Sequence, residues 1–598
     1  MLIQYYNQLL EKNGWVSRKF IEKTISLIEK EWNRKDVFVV EAPTGYGKSS
    51  ISQTISLYSL NEGFKSIIAY PLRTLLEDQY SKFSKIVSNK EVLGKRYMHN
   101  MDSLYLVKPI TLTTIDTLSL TLFGIPPEDF EKVARDWSGT SFGSLGHYLF
   151  SQVSIILSNI VLDEVHLLSD STKSLNFLFL LIEYAVENGQ KLVLMSATLP
   201  AALIEIFENY RLFDGTQLKN RLEIIRFSDK EFCDNEFLDE RKNKCYDIIL
   251  EGVKESEKFD KIIGWIKKGQ SEGFSKIIIV FNTVEDAITF YNRLNCEALV
   301  DNKILLHSRF NERDRVEKHN KLKILRERDN YIIVSTQTIE AGIDISSNLF
   351  ITELAPANSL VQRLGRFLRY ENENRGQVYI WYELDENGQL KNHKNKYKVY
   401  DFDLTTRTLE ELKGYGRRES SNNFRCILTS SNMNFHIPEF YQNLLNNVYR
   451  NSDFQVNKRS IQEYLKIFLD VESLSRKSFE KYLEVEGSFV RDEMLVPTIL
   501  KSIIDSLFEN KRLAKEDIDF LMENIVTVSV DQLRNLKICT AIKLEKDSES
   551  AYEKIECIAI SESLTNNPQN LIKFMLKNRI IAISIEGKYN SEFGLILR

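Results

Sequence analysis

The chain has 598 residues, of which 43% are hydrophobic and 27% are charged, and its formal net charge is −5. This composition is ordinary for a globular protein, and the length predicts several domains with more than one buried core. The charge balance excludes a global basic field for nucleic acid, although backbone N–H groups can also bind phosphates.

Cysteine usage and hydropathy limit the cellular location. The six cysteines are scattered and form no C-x-x-C pair, which argues against a disulfide framework or a zinc site and favours a reducing compartment. The longest apolar run, LNFLFLLI at 175–182, is too short to span a bilayer. The first residues also lack the pattern of a signal peptide. We therefore predict a cytoplasmic protein with no membrane partner.

Short β-branched runs alternate with longer helix-like segments in two blocks. They lie at 37–40, 66–70, 110–114, 159–162 and 191–195, and again at 276–281, 303–306, 331–335, 349–354 and 377–382. Continuous apolar strands separated by helices are typical of parallel sheets buried on both faces.

We predict an α/β fold with two tandem parallel-sheet domains, at 1–205 and 206–400. A polar stretch at 383–400 marks the second boundary. The remaining domain, 401–598, is predicted to be mainly helical and to end in a pair of strands around a turn near 587–591.

The segment EAPTGYGKSS (41–50) follows the first predicted strand and precedes a helix-like segment. Gly45 and Gly47 let the backbone curl so that its N–H groups face a β-phosphate. Lys48 would reach the β- and γ-phosphates, and the Ser49 hydroxyl would bind Mg²⁺. The predicted nucleotide-binding residues of this segment are Thr44, Gly45, Gly47, Lys48, Ser49 and Ser50. A chance glycine-rich turn is the alternative, and the flanking strand and helix argue against it.

Two further motifs of the first block carry acidic and hydroxyl groups. IVLDEVHLL (160–168) ends a buried strand with Asp163 and Glu164, at the sheet edge where parallel sheets bind ligands. Asp163 is placed to hold Mg²⁺ and Glu164 to orient and deprotonate the attacking water. MSATLP (195–200) follows another strand, and its Ser196 and Thr198 can bond to this cluster and relay the nucleotide state.

The second block carries no phosphate loop but has a glycine, an acidic residue and an arginine pair. STQTIEAGIDI (335–345) contains Asp344, and LVQRLGRFLR (360–369) places Gln362, Arg366 and Arg369 at i, i+4 and i+7. This spacing predicts one face of a helix. A guanidinium pair on a separate domain is what phosphoryl transfer needs as an arginine finger.

Together, APTGYGKS, LDEVH, SATLP, TIEAGIDI and QRLGRFLR resemble the motifs of a superfamily 2 helicase of the DExH type. The DEVH variant, with LLHSRF (305–310), is most similar to the CRISPR-associated helicase of type I interference. SIIAYPLRTLLEDQ (66–79), TLTTIDTL (111–118) and IIIVFNTVEDAITFY (277–291) support the resemblance. It implies two RecA-like domains and an ATP- and Mg²⁺-dependent translocase that moves 3′→5′ on single-stranded DNA.

The resemblance also implies a role for each matching residue. The implied catalytic residues are Lys48, Asp163, Glu164, Gln362, Arg366 and Arg369, with Ser49 and Asp163 as Mg²⁺ ligands. Gly342 and Asp344 are implied in ATP binding, and His166, Ser196 and Thr198 in coupling hydrolysis to movement. The implied DNA contacts are Pro71, Arg73, Thr114, Asn282, Thr283, His307 and Thr338.

Two departures from the family pattern matter. Ile21 stands where many relatives have an adenine-reading glutamine, so we expect relaxed nucleotide choice. None of the seven histidines is followed by aspartate, whereas fused family members carry a His-Asp metal nuclease domain. We therefore expect a helicase-only form with a separate His-Asp nuclease subunit, acting on DNA displaced by an RNA-guided CRISPR surveillance complex.

Three alternatives stay open at this point. The chain could be another DExH helicase that acts on RNA or damaged DNA, which a preference for RNA would reveal. It could also be an ATP-gated nucleic-acid clamp that does not unwind processively. The region beyond residue 400 could be a lid over the strand exit or a structural helical pack.

Overall fold

The computed structural model describes residues 1–97, 100–137, 148–297, 302–393, 399–419, 422–469, 473–508, 513–546 and 553–597. Within them, a parallel seven-stranded sheet has the strand order β3-β4-β2-β5-β6-β1-β7. Its strands are β1 (Val37–Glu41), β2 (Lys65–Tyr70), β3 (Leu93–Arg96), β4 (Ile110–Thr114), β5 (Ser158–Leu162), β6 (Leu192–Ser196) and β7 (Leu222–Arg226).

Helices cover both faces of this sheet, which is why its central strands are mostly apolar and buried. Every residue of β1, β4, β5 and β6 is buried. The helices are α1 (Leu2–Asn13), α2 (Lys19–Glu31), α3 (Ser49–Asn61), α4 (Arg73–Ile86), α5 (Ile115–Leu122), α6 (Phe130–Trp137), α7 (Tyr148–Ile156), α8 (Thr172–Glu187) and α9 (Ala201–Asn209).

A second sheet of eight described strands has the order β10-β11-β9-β12-β13-β8-β15-β14. Its strands are β8 (Cys245–Val253), β9 (Lys276–Val280), β10 (Lys303–Leu306), β11 (Tyr331–Ser335), β12 (Leu349–Glu353), β13 (Arg375–Glu383), β14 (Arg417–Glu419) and β15 (Asn422–Thr429). The helices of this region are α10 (Asn235–Lys242), α11 (Lys258–Ser271), α12 (Val284–Asn295), α13 (Glu312–Arg326), α14 (Ala357–Leu364) and α15 (Phe402–Tyr415). The ten predicted strands are all present, so the predicted parallel-sheet α/β class is confirmed.

Both sheets extend past the predicted domain boundaries. β7 lies beyond residue 205 yet pairs with β1, and β15 lies beyond residue 400 yet pairs antiparallel with β8. β7 is a half-buried edge strand without the continuous apolar run that identifies central strands. Part of the polar segment predicted as the second boundary, 394–398, lies outside the described residues.

The C-terminal region contains the predicted helices and also a sheet that the sequence analysis did not anticipate. Its helices are α16 (Pro438–Val448), α17 (Lys458–Phe468), α18 (Leu474–Glu484), α19 (Lys501–Phe508), α20 (Lys515–Glu523), α21 (Val530–Leu533) and α22 (Pro568–Lys577). The strands are β16 (Leu495–Leu500), β17 (Val526–Ser529), β18 (Lys537–Lys546), β19 (Glu553–Ile558) and β20 (Ile580–Glu586), with a hairpin of β21 (Lys588–Asn590) and β22 (Gly594–Ile596).

The predicted terminal strand pair needs one correction. β20 does not pair with the last strand. Instead, it lies between β16 and β18 in the five-stranded sheet. The hairpin that does form joins β21 to β22, so its turn lies at 591–593 rather than near 587–591. Within the described ranges, none of the helices combines the length and apolar character needed to cross a bilayer.

Candidate ATP site and nucleic-acid interface

The phosphate-loop segment lies between β1 and α3, as its sequence order predicts. Gly45 has φ +77° and Gly47 has φ +101°, a left-handed backbone that glycine adopts without steric cost. Lys48 is buried, and its Nζ donates to the Ala42 carbonyl at 3.0 Å. The loop therefore folds around its own lysine, and the helix of Ser49 starts directly after it.

The acidic pair lies at the end of β5 in a strained backbone. Glu164 has φ +53°, a conformation that costs a non-glycine residue of order 1 kcal/mol or more and is found mostly at functional sites. Its backbone N–H donates to Asp163 Oδ1 at 3.0 Å. Burial and the Glu164 charge raise the pKa of Asp163, and the Lys48 charge opposes them.

One oxygen of the pair accepts no hydrogen bond within the part of the chain that the structure describes. Glu164 Oε2 is buried and accepts no hydrogen bond from the described residues, although His166 Nδ1 lies 3.4 Å away. Burial lowers the pKa of His166 to about 4, so the imidazole is neutral at pH 7 and does not compensate the carboxylate. A buried carboxylate oxygen with no hydrogen bond from the described residues is the type of ligand that a divalent cation takes.

The predicted coupling residues form one chain of hydrogen bonds. His166 Nδ1 lies 3.1 Å from Ser196 Oγ, and Ser196 Oγ donates to the Thr198 carbonyl at 2.9 Å. Gln362 Nε2 donates to Thr198 Oγ1 at 3.1 Å, while Thr198 Oγ1 donates to Asn358 Oδ1. The segment after the acidic strand of the first domain is thus linked to α14 of the second through side chains and the Thr198 backbone.

Asn358 is a site residue that the sequence analysis missed. It lies four residues before Gln362 on α14 and is 6% exposed. That i, i+4 spacing puts both amides on one helix face, so the spacing was a usable signal for its position.

The arginine pair does not lie on a helix face, contrary to the prediction. α14 ends at Leu364, and the backbone N–H of Leu368, which has φ +43°, donates to the Ser347 carbonyl at 2.8 Å. The helix stops because the chain turns to form this contact with the segment before β12. Arg366 and Arg369 therefore extend from a turn, and their side chains have different neighbours.

Arg369 faces the phosphate loop, and Arg366 is bound inside its own domain. A Cβ built on Gly45 would lie 3.9 Å from Arg369 Cζ. Arg366 donates to the Ile339 and Glu340 carbonyls at 3.1 Å each. Burial and the neighbouring Arg369 lower the pKa of Arg366 to about 9, which leaves it charged at neutral pH.

Two glycines of the second domain contact the first domain closely. A Cβ on Gly365 would lie 2.7 Å from Thr44 Oγ1 in the phosphate loop, and a Cβ on Gly342 would lie 2.8 Å from the Leu75 backbone nitrogen. Gly342 has φ +78° and packs on the start of α4 instead of the phosphate loop, which differs from its predicted role in ATP binding.

Asp344 lies between two arginines of its own domain. Arg369 Nε donates to its Oδ1 at 2.9 Å, and Arg326 Nη1 lies 2.8 Å from its Oδ2. Although burial opposes them, these two arginines lower the pKa of Asp344. The carboxylate therefore orients the guanidinium that faces the phosphate loop.

Arg18 also reaches the phosphate loop. Its Nη1 donates to the Gly45 carbonyl at 3.1 Å, and its Cζ lies 5.3 Å from the centre of the Tyr46 ring. Ile21, at the position where the family pattern led us to expect glutamine, is buried. Ile21 offers no polar group for a base, whereas Arg18 does.

Two of the predicted DNA contacts are bound within the protein. Asn282 Oδ1 accepts from Arg363 at 2.9 Å and its Nδ2 donates to the Leu354 carbonyl at 2.7 Å. His307 Nδ1 accepts from the Arg309 N–H at 3.1 Å, and its Nε2 lies 3.0 Å from the Phe593 carbonyl. Both side chains are buried, so strand contacts near these two positions stay a prediction that neighbouring groups would have to fulfil.

The other predicted DNA contacts lie at strand and helix ends. Thr114 and Thr283 cap α5 and α12, accepting from the N–H groups of Thr117 and Asp286. Thr338 Oγ1 donates to the Leu306 carbonyl at 3.3 Å. Pro71 lies half-buried between β2 and α4. These placements leave the backbone N–H groups near Thr114, Thr283 and Thr338 as the candidates for phosphate contact, since Pro71 has no N–H.

Arg73 of the first domain crosses to the second. Its Nη2 lies 2.9 Å from Glu312 Oε1, and its Cζ lies 4.6 Å from the centre of the Tyr97 ring. Arg73 thus combines an ion pair between the domains with a partly exposed guanidinium near the predicted strand path.

The C-terminal region contacts both domains close to residues predicted to contact the DNA strand. Arg491 binds Asp116 of α5 through Nε at 2.8 Å and Nη2 at 2.6 Å, and the rings of Phe489 and Phe123 stack 3.8 Å apart. On the second domain, the β21–β22 hairpin covers His307, and the Leu595 N–H donates to Arg309 at 2.9 Å.

A second acidic cluster lies in the second domain. Asp286, Glu353 and Glu383 are close enough to share a metal ion. However, Lys258 Nζ donates to Asp286 at 2.7 Å and to Glu383 at 3.0 Å. The lysine charge therefore already compensates this cluster.

Two known families match the chain. Residues 19–206 match the DEAD/DEAH box helicase family, and residues 273–372 match CRISPR-associated nuclease/helicase Cas3, C-terminal. A putative CRISPR-associated nuclease/helicase Cas3 of Methanocaldococcus jannaschii is 28% identical over 519 residues, which cover 80% of this chain and 61% of that protein. CRISPR-associated helicase Cas3 of Thermoproteus tenax is 23% identical over 364 residues, covering 58% and 56%.

The solved structures agree in fold. The crystal structure of T. fusca Cas3-AMPPNP matches with a TM-score of 0.62 and 15% identity, over 98% of this chain and 71% of that chain. A CRISPR RNA-guided surveillance complex in the pre-nicking state matches with a TM-score of 0.58 and 16% identity, over 98% and 71%. These likenesses establish the RecA-like helicase fold. This chain spans 56% to 61% of the length of the two relatives above.

Proposed function

We propose that this chain, which is a Cas3-like helicase with a DEAD/DEAH box domain followed by a Cas3 C-terminal domain, is an ATP-driven single-stranded DNA translocase of CRISPR defence. The observation that supports this proposal is the closed cleft between the two domains, in which Gly365 and Arg369 lie against Thr44 and Gly45. A bound triphosphate would be enclosed by residues of both domains, so its hydrolysis would change how they contact each other.

The hydrolytic roles follow from the groups available at the cleft. Lys48 would leave the Ala42 carbonyl to bind the β- and γ-phosphates, and Glu164, whose Oε2 lacks a hydrogen bond from the described residues, would orient and deprotonate the attacking water. Mg²⁺ held by Ser49 and Asp163 would supply positive charge to the transferring phosphoryl group. Arg369 would add charge from the second domain, with Asp344 fixing its orientation.

Movement would follow from the bonds between Thr198 and α14. If loss of the γ-phosphate weakens the contacts of Arg369, the Thr198–Gln362 link is strained or broken and the cleft opens. Arg73, with the backbone groups near Thr114, Thr283 and Thr338, would hold the DNA phosphates. We propose 3′→5′ travel, with slight sequence preference and an affinity that falls with salt.

The names of the relatives, which are CRISPR-associated nucleases and helicases, suggest a cellular role in CRISPR defence. We infer that the motor acts in the cytoplasm on DNA displaced by an RNA-guided surveillance complex. From the family resemblance we propose that a separate His-Asp subunit supplies the nuclease; no histidine within the 598 residues is followed by aspartate. Purified chain should leave single-stranded DNA intact in Mn²⁺, Ni²⁺ or Co²⁺, and robust degradation would contradict this assignment.

The region beyond residue 400 is proposed as a lid over the strand. Its two contacts, Arg491 with Asp116 and the hairpin with His307, lie on different domains, and each is at or close in sequence to a predicted strand contact. A purely structural pack would need neither. Arg491→Ala should therefore shorten the lifetime of the protein on single-stranded DNA, and an unchanged lifetime would favour the structural role.

The experiment that tests the proposed function is steady-state ATPase with no nucleic acid, single-stranded DNA, single-stranded RNA or duplex DNA. Selective stimulation by single-stranded DNA is expected, and Lys48→Ala should abolish turnover. Equal or greater stimulation by RNA would contradict the DNA assignment. Stimulation by DNA without movement on a strand-displacement substrate would instead indicate a clamp.

A further inference from the structure

A buried arginine next to Gln362 uses all of its hydrogen-bond donors. Arg363 has 0% exposure, and a guanidinium has five N–H groups. Its bonds go to Glu340 Oε1 at 2.9 Å, Thr352 Oγ1 at 2.9 Å, the Glu353 carbonyl at 2.9 Å, Asn282 Oδ1 at 2.9 Å and the Tyr400 hydroxyl at 2.8 Å. One side chain thus joins five partners from four segments of the chain.

These partners belong to segments with different tasks. Glu340 begins the loop of Gly342 and Asp344, which orients Arg369. Asn282 lies beside Thr283 on the predicted DNA side, and its backbone N–H donates to Glu353 at 2.8 Å. Arg363 itself is on α14, whose Gln362 bonds to Thr198. The guanidinium is therefore the shared contact between the nucleotide side and the strand side of the second domain.

Stability alone does not call for a charged group at this position. A buried ion pair can often be replaced by apolar residues without loss of stability. What the guanidinium adds is a planar fork that fixes several partners in one geometry, which lysine cannot reproduce. Although burial opposes them, Tyr400 and Glu340 raise the pKa of Arg363, so the fork stays charged. Tyr400 also donates to Glu340 at 2.6 Å, which closes the network.

We propose that Arg363 is a positioning residue that couples the nucleotide cleft to the Asn282–Thr283 loop of the second domain. Nucleotide-dependent movement of α14 would displace the loop through the guanidinium fork. This coupling rests on the proposed function in that the loop is taken to face DNA. The coupling itself, however, can be measured without nucleic acid.

Hydrogen–deuterium exchange with and without Mg²⁺ and a non-hydrolysable ATP analogue tests the coupling directly. In the wild type, the analogue should slow exchange at 42–50 and also at 281–284. In Arg363→Lys, which keeps the charge beside Glu340 but loses the fork, slowing at 42–50 should persist and slowing at 281–284 should disappear. Retained slowing at both segments in this variant would overturn the proposal.

Arg96→Lys is the matched control. Arg96 is 1% exposed and donates to Glu128 at 2.8 Å, so it is also a buried guanidinium paired with a carboxylate, but it lies on β3, away from the network. The Arg96→Lys substitution should lower thermal stability and leave the slowing of exchange at 42–50 and at 281–284 intact. If Arg96→Lys also loses the slowing of exchange at 281–284, the same loss in Arg363→Lys results from general destabilisation. That outcome would contradict a specific role for Arg363.

A kinetic readout separates this proposal from the proposed function. In Arg363→Lys, stimulation of ATPase by single-stranded DNA should fall roughly 2- to 30-fold, the range of 0.5–2 kcal/mol typical of coupling residues, while KM for ATP stays nearly unchanged. Tyr400→Phe, which removes one partner, should give a smaller loss. If no nucleic acid stimulates the wild type, the proposed function fails, and the exchange experiment still decides the role of Arg363.

Discussion

The nucleotide cleft and the predicted DNA-contacting loops differ in how their polar groups are used. In the cleft, Glu164 Oε2 is buried and accepts no hydrogen bond from the described residues, and Arg369 lies against Gly45. In the loops, Asn282 and His307 have their side-chain groups bonded within the protein. The cleft is organised to receive charge from outside, whereas these loop residues hold the backbone in position.

Because of this difference, each residue of a helicase motif has to be interpreted separately. A motif residue that is buried and fully bonded stabilises the geometry of its loop, even when its neighbour contacts a ligand. A motif residue with an unmatched charge is a candidate for chemistry. The four predictions below test this distinction.

The largest effect is expected at the base of the cleft. Glu164→Gln removes the carboxylate that would take the proton from water, so ATP hydrolysis should fall about 10²- to 10⁴-fold. Nucleotide binding should remain, because Lys48 and the loop backbone are unchanged. Single-turnover hydrolysis and fluorescent-nucleotide titration check both points. Hydrolysis near the wild-type rate would move the base to another residue.

The next effect is expected at the contact between the domains. Gly342→Ala places a methyl group 2.8 Å from the Leu75 nitrogen at φ +78°, so α4 must shift or the backbone must change. We expect about a tenfold loss of DNA-stimulated ATPase, the cost of roughly 1.4 kcal/mol against closure. Gly63→Ala, at φ +77° with no described atom within 4 Å of the added carbon, is the matched control. Equal losses in the two variants would argue against a specific role for the Gly342 contact.

A third effect concerns pH and distinguishes a structural role of His307 from a role in DNA binding. Burial and Arg309 lower the pKa of His307 to about 3, below the value of about 6.5 for an unfolded histidine. Between these values the unfolded chain binds more protons, so His307 reduces folding stability as the pH falls below about 6.5. From pH 7 to pH 5 this amounts to about 2 kcal/mol.

The measurement is thermal denaturation at pH 7 and pH 5. His307→Gln should shrink the difference between the two midpoints, while its DNA affinity at pH 7 stays within a small factor of the wild type. A large loss of DNA affinity together with an unchanged acid sensitivity would restore His307 as a DNA contact.

The smallest effect is expected at Arg73, which is partly exposed beside the predicted path. Arg73→Ala should weaken single-stranded DNA binding by a few fold and lower the slope of log affinity against log salt by about 0.7, the value for one phosphate contact. Fluorescence anisotropy at several salt concentrations measures both. Glu312→Gln provides the control, since it breaks the ion pair with Arg73 without removing the positive charge. An equal loss in Glu312→Gln would mean that domain pairing, not phosphate binding, is affected.

Much of the fold was predictable because its signals are local. The ten strands of the two sheets that are apolar in sequence were all recognised, and β3, β7, β8, β14, β15 and four strands of the C-terminal sheet were not. Of these, β3, β7 and β14 are edge strands, and β8 and β15 mix polar with apolar residues, so they lack the continuous apolar run of a strand buried on both faces. The end of α14 was also missed, because the turn after it is set by a contact with Ser347.

The candidate site divides in the same way. Sequence alone determined the phosphate loop, the acidic pair and their order along the chain, because each motif is a few residues at the end of a buried strand. Only the tertiary structure decided that Arg369 rather than Arg366 faces the loop, that Asn358 joins Thr198, and that His307 is covered. Those outcomes depend on partners more than a hundred residues away or on a turn, and neither is encoded in the spacing of a motif.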